Sequence, residues 1–168
     1  MRIIFTIASL TFMATAASVL ATPTVQAVDI VEYGTYRIQL AGEHLQVPSA
    51  AAGVVEPASR ARLIATTNQV PAVVGTTFGC HFVIKGEPIG TPVMLDIVVE
   101  HPAFRKPGGE TTGTTDKVPW QYVIGRKVGY TYTFDNAWEA VPGVWAIQVW
   151  HEGKRLAEQK FIVTTTAP

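Results

Sequence analysis

Strict alternation of apolar and polar residues is the feature that most limits how this chain can fold. It is clearest in four runs, at residues 78–85, 93–100, 129–134 and 145–150. Because side chains along an extended strand point alternately to the two faces of a sheet, each run predicts a strand with one face on a core. Weaker runs at 30–39, 62–67, 120–124 and 157–164 predict four more strands, and prolines and glycines separate the runs.

No run shows the 3.6-residue apolar period of an amphipathic helix. The best helical candidate is a single turn near residues 136–140, just before Pro142. Seven or eight short antiparallel strands without helices predict an all-β fold, an immunoglobulin- or fibronectin-like β-sandwich. A closed barrel is the alternative arrangement.

The C-terminal stretch PGVWAIQVWHEGKRLAEQKFIV predicts a hairpin, and its apolar pattern selects a register. A two-residue turn at the glycine would place Glu158 opposite the core residue Val149. A loop with one more residue instead pairs Ile147 with Phe161 and keeps apolar residues together. We therefore predict the longer loop, with Trp145 as the core anchor.

Two segments, 41–59 and 104–119, fit no strand. The first is rich in Ala, Gly and Pro, and the second is polar with repeated Gly and Thr. Loops of this length are usually either functional or disordered. Composition favours disorder or simple surface coverage here.

Residues 1–27 predict an export signal rather than a part of the fold. Arg2 precedes an apolar run from Ile3 to Leu20, and Val25-Gln26-Ala27 has the small-x-small pattern that a signal peptidase reads. Val19-Leu20-Ala21 is a second possible cut. A membrane anchor is the competing interpretation, since such a helix needs about 18 apolar residues. The cleavage pattern and the lack of a flanking positive cluster favour removal, which leaves one domain at 28–168.

The predicted mature chain is nearly neutral and has a single thiol. Without Arg2 it carries 12 Lys and Arg against 13 Asp and Glu, a formal net charge of −1. These charges are scattered, so neither nucleic acid nor an anionic membrane surface is an expected partner. Cys80 is the only cysteine and cannot form an internal disulfide. The pattern predicts a bacterial periplasmic or secreted protein with no membrane span after signal removal.

Five motifs occur in one order along the chain: EYGTY (32–36), VPAVVGTTFGCHFVIKG (70–86), VEHPAF (99–104), YTFDNAWE (132–139) and the C-terminal hairpin. That order resembles an uncharacterised bacterial family catalogued as domain of unknown function thirty-eight fifty-nine, over about residues 30–163. The resemblance implies an immunoglobulin-like fold and no established activity. Many members of that family lack an export signal, and the Cys80-His81 pair lies outside the shared pattern.

Histidine and sulfur ligands raise the possibility of a metal site. A soft site for copper could use Cys, His and Met side chains. On a strand, however, Cys80 and His81 point to opposite faces and cannot converge on one ion. His101 precedes Pro102 at a strand end, where it could simply shape the corner. A small periplasmic metal-handling protein with His81 and His101 as ligands is therefore the alternative function, and no cofactor is predicted.

The sequence offers little material for catalysis. The only serines of the mature chain, Ser49 and Ser59, lie outside any Gly-x-Ser-x-Gly motif. Cys80 as a nucleophile would need exposure and a lowered pKa, and its apolar strand face opposes both. Asp135 and Glu139 could be a carboxylate pair for glycoside cleavage, but an Asp at a strand end more simply caps a turn. We predict that the protein is not an enzyme.

Exposed aromatic residues predict a binding surface instead. Trp150 and Gln148 alternate with core residues of their run and are expected on the outer face of the sheet. Trp138 precedes the final hairpin, and Trp120 follows the polar segment. Aromatic residues favour interfaces with a protein, peptide or glycan; the competing interpretation is that Trp138 and Trp120 plug the sandwich ends. The predicted function is an exported, non-catalytic interaction or accessory module.

Overall fold

A computed structural model describes residues 22–40, 42, 45–51, 53–55 and 58–165. Most of the predicted export signal therefore lies outside the described residues. In the described part the backbone forms eleven strands and no helix, so no helix there is long and apolar enough to cross a bilayer. The strands are β1 (Thr24–Leu40), β2 (Leu45–Gln46), β3 (Val54–Val55), β4 (Ala58–Ala65), β5 (Gln69–Pro71), β6 (Thr77–Glu87), β7 (Pro92–Glu100), β8 (Thr115–Val123), β9 (Lys127–Thr133), β10 (Gly143–His151) and β11 (Lys154–Thr164).

Nine of these strands form two sheets that pack face to face. The four-stranded sheet has the order β4-β1-β6-β9, and the five-stranded sheet has the order β5-β11-β10-β7-β8. Strands β2 and β3 form a separate ribbon. The predicted all-β sandwich is confirmed, and two open sheets exclude the closed barrel. All eight predicted strands are present, but the strand count is higher, and β5 pairs with β11 in parallel rather than antiparallel orientation.

Both segments that fit no strand contain strand residues. The ribbon of β2 and β3 and the start of β4 lie within 41–59, and β8 begins at Thr115 inside the second segment. A bridge between Arg105 and Thr111 closes the intervening loop. Short pairs of two residues carry too little alternation to be detected in sequence.

Strand β1 is the longest strand and begins before the predicted domain boundary at residue 28. It pairs with β6 from Thr24 to Tyr36 and with β4 from Thr35 to Leu40. One long strand thus serves two different neighbours along two parts of its length. The apolar alternation predicted only residues 30–39 and missed the first six residues of the strand, because register shifts after Val25 and after Ile30 interrupt the period.

The core between the sheets is centred on Trp145, which is fully buried. Its ring lies 5.2 Å from Tyr132, 5.3 Å from Phe134 and 5.6 Å from Phe78, all in steeply inclined or edge-on geometry. The indole N–H donates to the carbonyl oxygen of Val141 at 3.0 Å. A buried indole with its polar atom bonded costs nothing in lost hydrogen bonds. The prediction that Trp145 anchors the core is confirmed.

The predicted register of the final hairpin is wrong by two residues. Phe161 lies opposite Trp145 rather than opposite Ile147. The turn consists of Glu152-Gly153, both with positive φ, which is the mirror-image turn that two-residue hairpins favour. Leu156 is an extra residue at a bulge just after the turn. Because a shift of two residues leaves every side chain on its own face, the apolar pattern alone could not detect the error.

Replacing Trp145 tests how much this core contributes. We expect Trp145→Ala to lower the free energy of unfolding by about 3–5 kcal/mol, since the cavity cannot refill. The measurement is equilibrium urea denaturation followed by circular dichroism. The adjacent Val144 is 64% exposed and is the matched control; Val144→Ala should change stability by less than about 0.5 kcal/mol. Equal losses in both variants would contradict the assignment of Trp145 as the core anchor.

Candidate functional site

The four predicted binding residues lie in different environments. Trp120 is on the core side of β8, and Trp138 is in the turn before β10; both are partly buried and pack against the core. Trp138 also contacts Phe104 edge-on at 5.7 Å and has the ammonium of Lys106 5.8 Å above its ring. Trp120 and Trp138 therefore contribute to core packing. Trp150 alone of the three lies on the outer face of its sheet.

Gln148 lies on the predicted outer face, but it is buried rather than exposed, at 1% exposure. It occupies β10, which has neighbours on both sides, so adjacent side chains cover it. Its amide nitrogen donates to Glu158 Oε1 at 2.9 Å, and its oxygen accepts from the Trp150 indole at 2.8 Å. Arg155 donates to the same Glu158 oxygen at 2.9 Å. Gln148 therefore holds the Trp150 ring in place rather than contacting a ligand.

Trp150 lies beside a groove of about 430 Å³ at one end of the five-stranded sheet. We call it the Trp150 groove. Three segments line it: the end of β10 and its turn, the start of β7, and the residues just before β1, namely Trp150, His151, Glu152, Val93, Met94, Asp96, Thr22 and Pro23. Met94 is 54% exposed, so an apolar, flexible side chain is available beside a half-buried indole.

Polar contacts order the rim of the Trp150 groove. His151 Nδ1 lies 3.1 Å from the carbonyl oxygen of Met94, which ties β10 to β7. Asp96, opposite Trp150 in the ladder, pairs with Lys117 at 2.9 Å. Glu152 is exposed in the turn, 4.0 Å from His151 Nε2. Sequence reasoning missed this groove because alternation assigns faces without showing which strand ends lie side by side.

His81 lies on the outer face of the four-stranded sheet, opposite to Cys80 as predicted. Its Nδ1 is 2.6 Å from Glu32 Oε1, and the Tyr36 hydroxyl lies 3.3 Å from the same nitrogen. Lys127 donates to the other oxygen of Glu32 at 2.9 Å. The hydrogen bond from Lys127 contributes most to lowering the pKa of Glu32, and His81 lowers it further against the opposing effect of burial. Burial raises the pKa of Tyr36.

Two glycines allow close approaches around this cluster of Glu32, Tyr36, His81 and Lys127, and one of them faces the His81 ring. Gly129 lies opposite His81 in the ladder, and a Cβ at Gly129 would collide with the His81 ring. Gly34 has a φ of 148° and approaches the backbone of Ala65 too closely for any side chain. Side chains of the motifs EYGTY and FGCHF therefore meet on one sheet face, where Glu32 and Tyr36 contact His81 and Gly129 leaves room for the His81 ring. All the contacts described here are between residues of this chain, so we assign the cluster a structural role.

His101 lies inside the molecule at the end of β7, away from His81. It is buried and stacks on Phe104, with ring centroids 4.1 Å apart. Its Nδ1 is 2.9 Å from the carbonyl oxygen of Pro102, whereas Nε2 lies 3.5 Å from Asp116 and has no hydrogen-bond partner among the described residues. Asp116 accepts from the backbone N–H of Ala51 at 2.7 Å and so holds the segment 47–51 against β8.

The metal hypothesis with His81 and His101 as ligands is not supported. One histidine is on the outer face of one sheet, and the other is buried beside the second sheet. Within the described part of the chain, no three His, Cys, Asp or Glu side chains are placed to share an ion. The sequence suggested both as candidates because residue type alone carries no information on distance.

The candidate nucleophile and the candidate carboxylate pair also have structural roles in the fold. Cys80 is 1% exposed, and burial raises its pKa to about 12. Glu139 is buried and accepts from the backbone N–H groups of Asp135 at 2.8 Å and Asn136 at 3.0 Å. Burial raises the pKa of Glu139 although these donors favour its charged form. The segment predicted as a helical turn is this capped turn and forms no helix.

Thiol reactivity tests the environment of Cys80. We expect a water-soluble aromatic disulfide reagent to leave the folded chain unmodified at about pH 8 and to label one thiol per chain in denaturant. The physical reason is that a buried thiol with a raised pKa supplies almost no thiolate. Stoichiometric labelling of the folded chain within minutes would contradict this assignment.

The Glu32 contacts predict a pH dependence with a definite sign. Since the folded-state pKa of Glu32 lies below its usual value of 4.5, its ionised form stabilises the fold above that pH, and this stabilisation disappears as pH falls through the folded-state pKa. Glu32→Gln should therefore have a lower free energy of unfolding than the wild type at neutral pH, and this difference should disappear in acid. Urea denaturation at several pH values measures the difference. A difference that does not change with pH would contradict a stabilising role of the ionised Glu32 carboxylate.

Comparison with known proteins establishes the family and the fold. The model of the family described as "Domain of unknown function (DUF3859)" matches residues 24–163, while no curated protein matches the chain.

The solved structure of an immunoglobulin-like protein from Pseudomonas aeruginosa is 23% identical to this chain and superposes with a TM-score of 0.57. The match covers 86% of this chain and 98% of that protein. The structure of the alkylpurine DNA glycosylase AlkC from Pseudomonas fluorescens is 15% identical over 58% of this chain and 28% of its own; its TM-score of 0.41 is too low to support an argument. The resemblance seen in the motifs is confirmed: the fold is immunoglobulin-like, and the chain belongs to the DUF3859 family, whose function is unknown.

Proposed function

We propose that this protein is an exported, non-catalytic interaction module that binds a partner polypeptide in the Trp150 groove. The observation that carries the proposal is the fixed, half-buried Trp150 ring beside the exposed Met94 side chain. A rigid indole gives large contact area at low entropic cost, and methionine adapts to different apolar partners. The hydrogen bond from Trp150 to buried Gln148 supplies that rigidity before a partner arrives.

The groove lining indicates the chemistry of the partner. Trp150, Met94 and Pro23 offer an apolar surface. At its rim lie the carboxylate of Glu152 and that of Asp96, which also pairs with Lys117. Charged groups at the rim of an interface mainly set orientation and partner choice, whereas the buried apolar contact supplies affinity. The expected occupant is a polypeptide segment with an apolar side chain next to a lysine or arginine.

Several features support a binding role over catalysis. The only thiol is buried with a raised pKa, and the buried Glu139 carboxylate is engaged in a turn. Immunoglobulin-like sandwiches commonly present binding surfaces at the ends of their sheets. The scattered charges give no support to nucleic acid as the partner.

Export is supported by the leader-like sequence at the amino terminus. The run from Ile3 to Leu20 is apolar, Arg2 precedes it, and small residues follow it. The proposed location is the periplasm or the exterior of a bacterium. A domain with one buried cysteine gains nothing from an oxidising compartment and suffers no mispairing there.

A peptide selection tests the proposal. Peptides selected from a phage-displayed random library on the folded protein are expected to combine an apolar and a basic residue. Their affinity for Trp150→Ala should fall at least about tenfold, because the central aromatic contact is lost. Isothermal titration calorimetry with synthetic copies of the peptides provides the measurement.

The control variant is Val144→Ala, on the same strand and the same outer face but toward the other end of the sheet. It should bind the peptides with unchanged affinity. Peptides that bind Trp150→Ala as well as the wild type would overturn the groove assignment. A glycan array that shows Trp150-dependent binding, with no peptide selected, would replace the polypeptide by a sugar ligand.

A further inference from the structure

The first residues of β1 are an integral part of the four-stranded sheet. Thr24 pairs with Glu87, Val25 with Gly86 and Ala27 with Lys85. Val25 also packs against the core. A Cβ at Gly86 would collide with the carbonyl oxygen of Thr24, so the two backbones approach as closely as glycine allows.

The end of β6 depends on this short stretch. Strand β9 covers β6 only from Thr77 to Val83, whereas β1 continues alongside it to Glu87. In the described sheet, β1 is therefore the only neighbour of residues 85–87. Cleavage after Ala27 would remove the partner of these residues and leave their backbone groups without the pairs shown here.

The two residues before β1 contribute to the Trp150 groove. Thr22 and Pro23 are lining residues on its third side. Cleavage after Ala27 would remove both, whereas cleavage after Ala21 would retain both. The family match also begins at residue 24, in agreement with a domain that includes the start of β1.

We infer that the export signal is removed after Ala21 and that the new amino terminus at Thr22 forms one wall of the Trp150 groove. Val19 and Ala21 supply the small residues that a signal peptidase requires. Hydrolysis of the Ala21–Thr22 amide by one water releases the leader with a carboxylate on Ala21 and leaves an ammonium on Thr22.

This inference rests on the proposed export and deepens the proposed site, because processing determines which residues line it. Two cut sites compete in the sequence, and both satisfy the peptidase. The structure favours one of them for a reason outside the recognition pattern: only the upstream cut leaves the sheet and the groove complete.

The test is to express the full chain, leader included, in a Gram-negative host and to sequence the amino terminus of the periplasmic form, with intact mass as the second measurement. The expected first residue is Thr22. Ala21→Phe should abolish cleavage at this bond, because a bulky residue blocks the cut, and any form that is still processed should begin at Val28 rather than Thr22. Ala27→Phe is the matched control; Ala27 is exposed, so this variant should be processed like the wild type.

The outcomes separate the two proposals. A periplasmic protein that begins at Val28, with processing blocked by Ala27→Phe, would overturn the inference and leave export intact. A chain that stays uncut in the cytoplasm would overturn both export and the inference. An uncut chain held in the inner membrane would establish the anchor interpretation and overturn the inference.

Discussion

The contact between aromatic rings of the two sheets is the interaction on which the rest of the structure depends. Phe78 comes from the four-stranded sheet and lies 5.0 Å from Phe161 and 5.6 Å from Trp145 of the five-stranded sheet. All three are fully buried. A chain with one cysteine has no disulfide to join its sheets, so this close packing has to do so. The positions of the sheet faces, of the strand ends and of the Trp150 groove depend on this packing.

The outer faces of the two sheets carry polar side chains that are partly or fully buried and therefore need hydrogen-bond partners. On each face these partners are neighbouring side chains. On one face Glu32 accepts from Lys127 and contacts His81, while on the other Gln148 bridges Glu158 and Trp150. In the cluster on the four-stranded sheet, the side chains contact one another. The arrangement on the other face ends in an aromatic ring at a groove, which is why the site is assigned to the five-stranded sheet.

Alternation in the sequence anticipated much of this, and its errors have a common cause. It placed Cys80 inside, His81 outside and Trp145 at the core, because face is a property of a single strand. It missed the burial of Gln148, which depends on the neighbours of β10. It also missed the two-residue turn at Glu152-Gly153, since a bulge in β11 changes the register without changing any face.

What the sequence by itself determined is the class of fold, the inward and outward faces of each main strand, and the family, because these follow from local periodicity and from motif order. Which strand ends meet was decided only by the tertiary structure. Met94, Asp96 and Trp150 are brought together with Thr22 and Pro23 by the pairing of β7 with β10 and the path of β1. Contacts between residues far apart in the chain depend on the packing of whole sheets, and no local pattern records that packing.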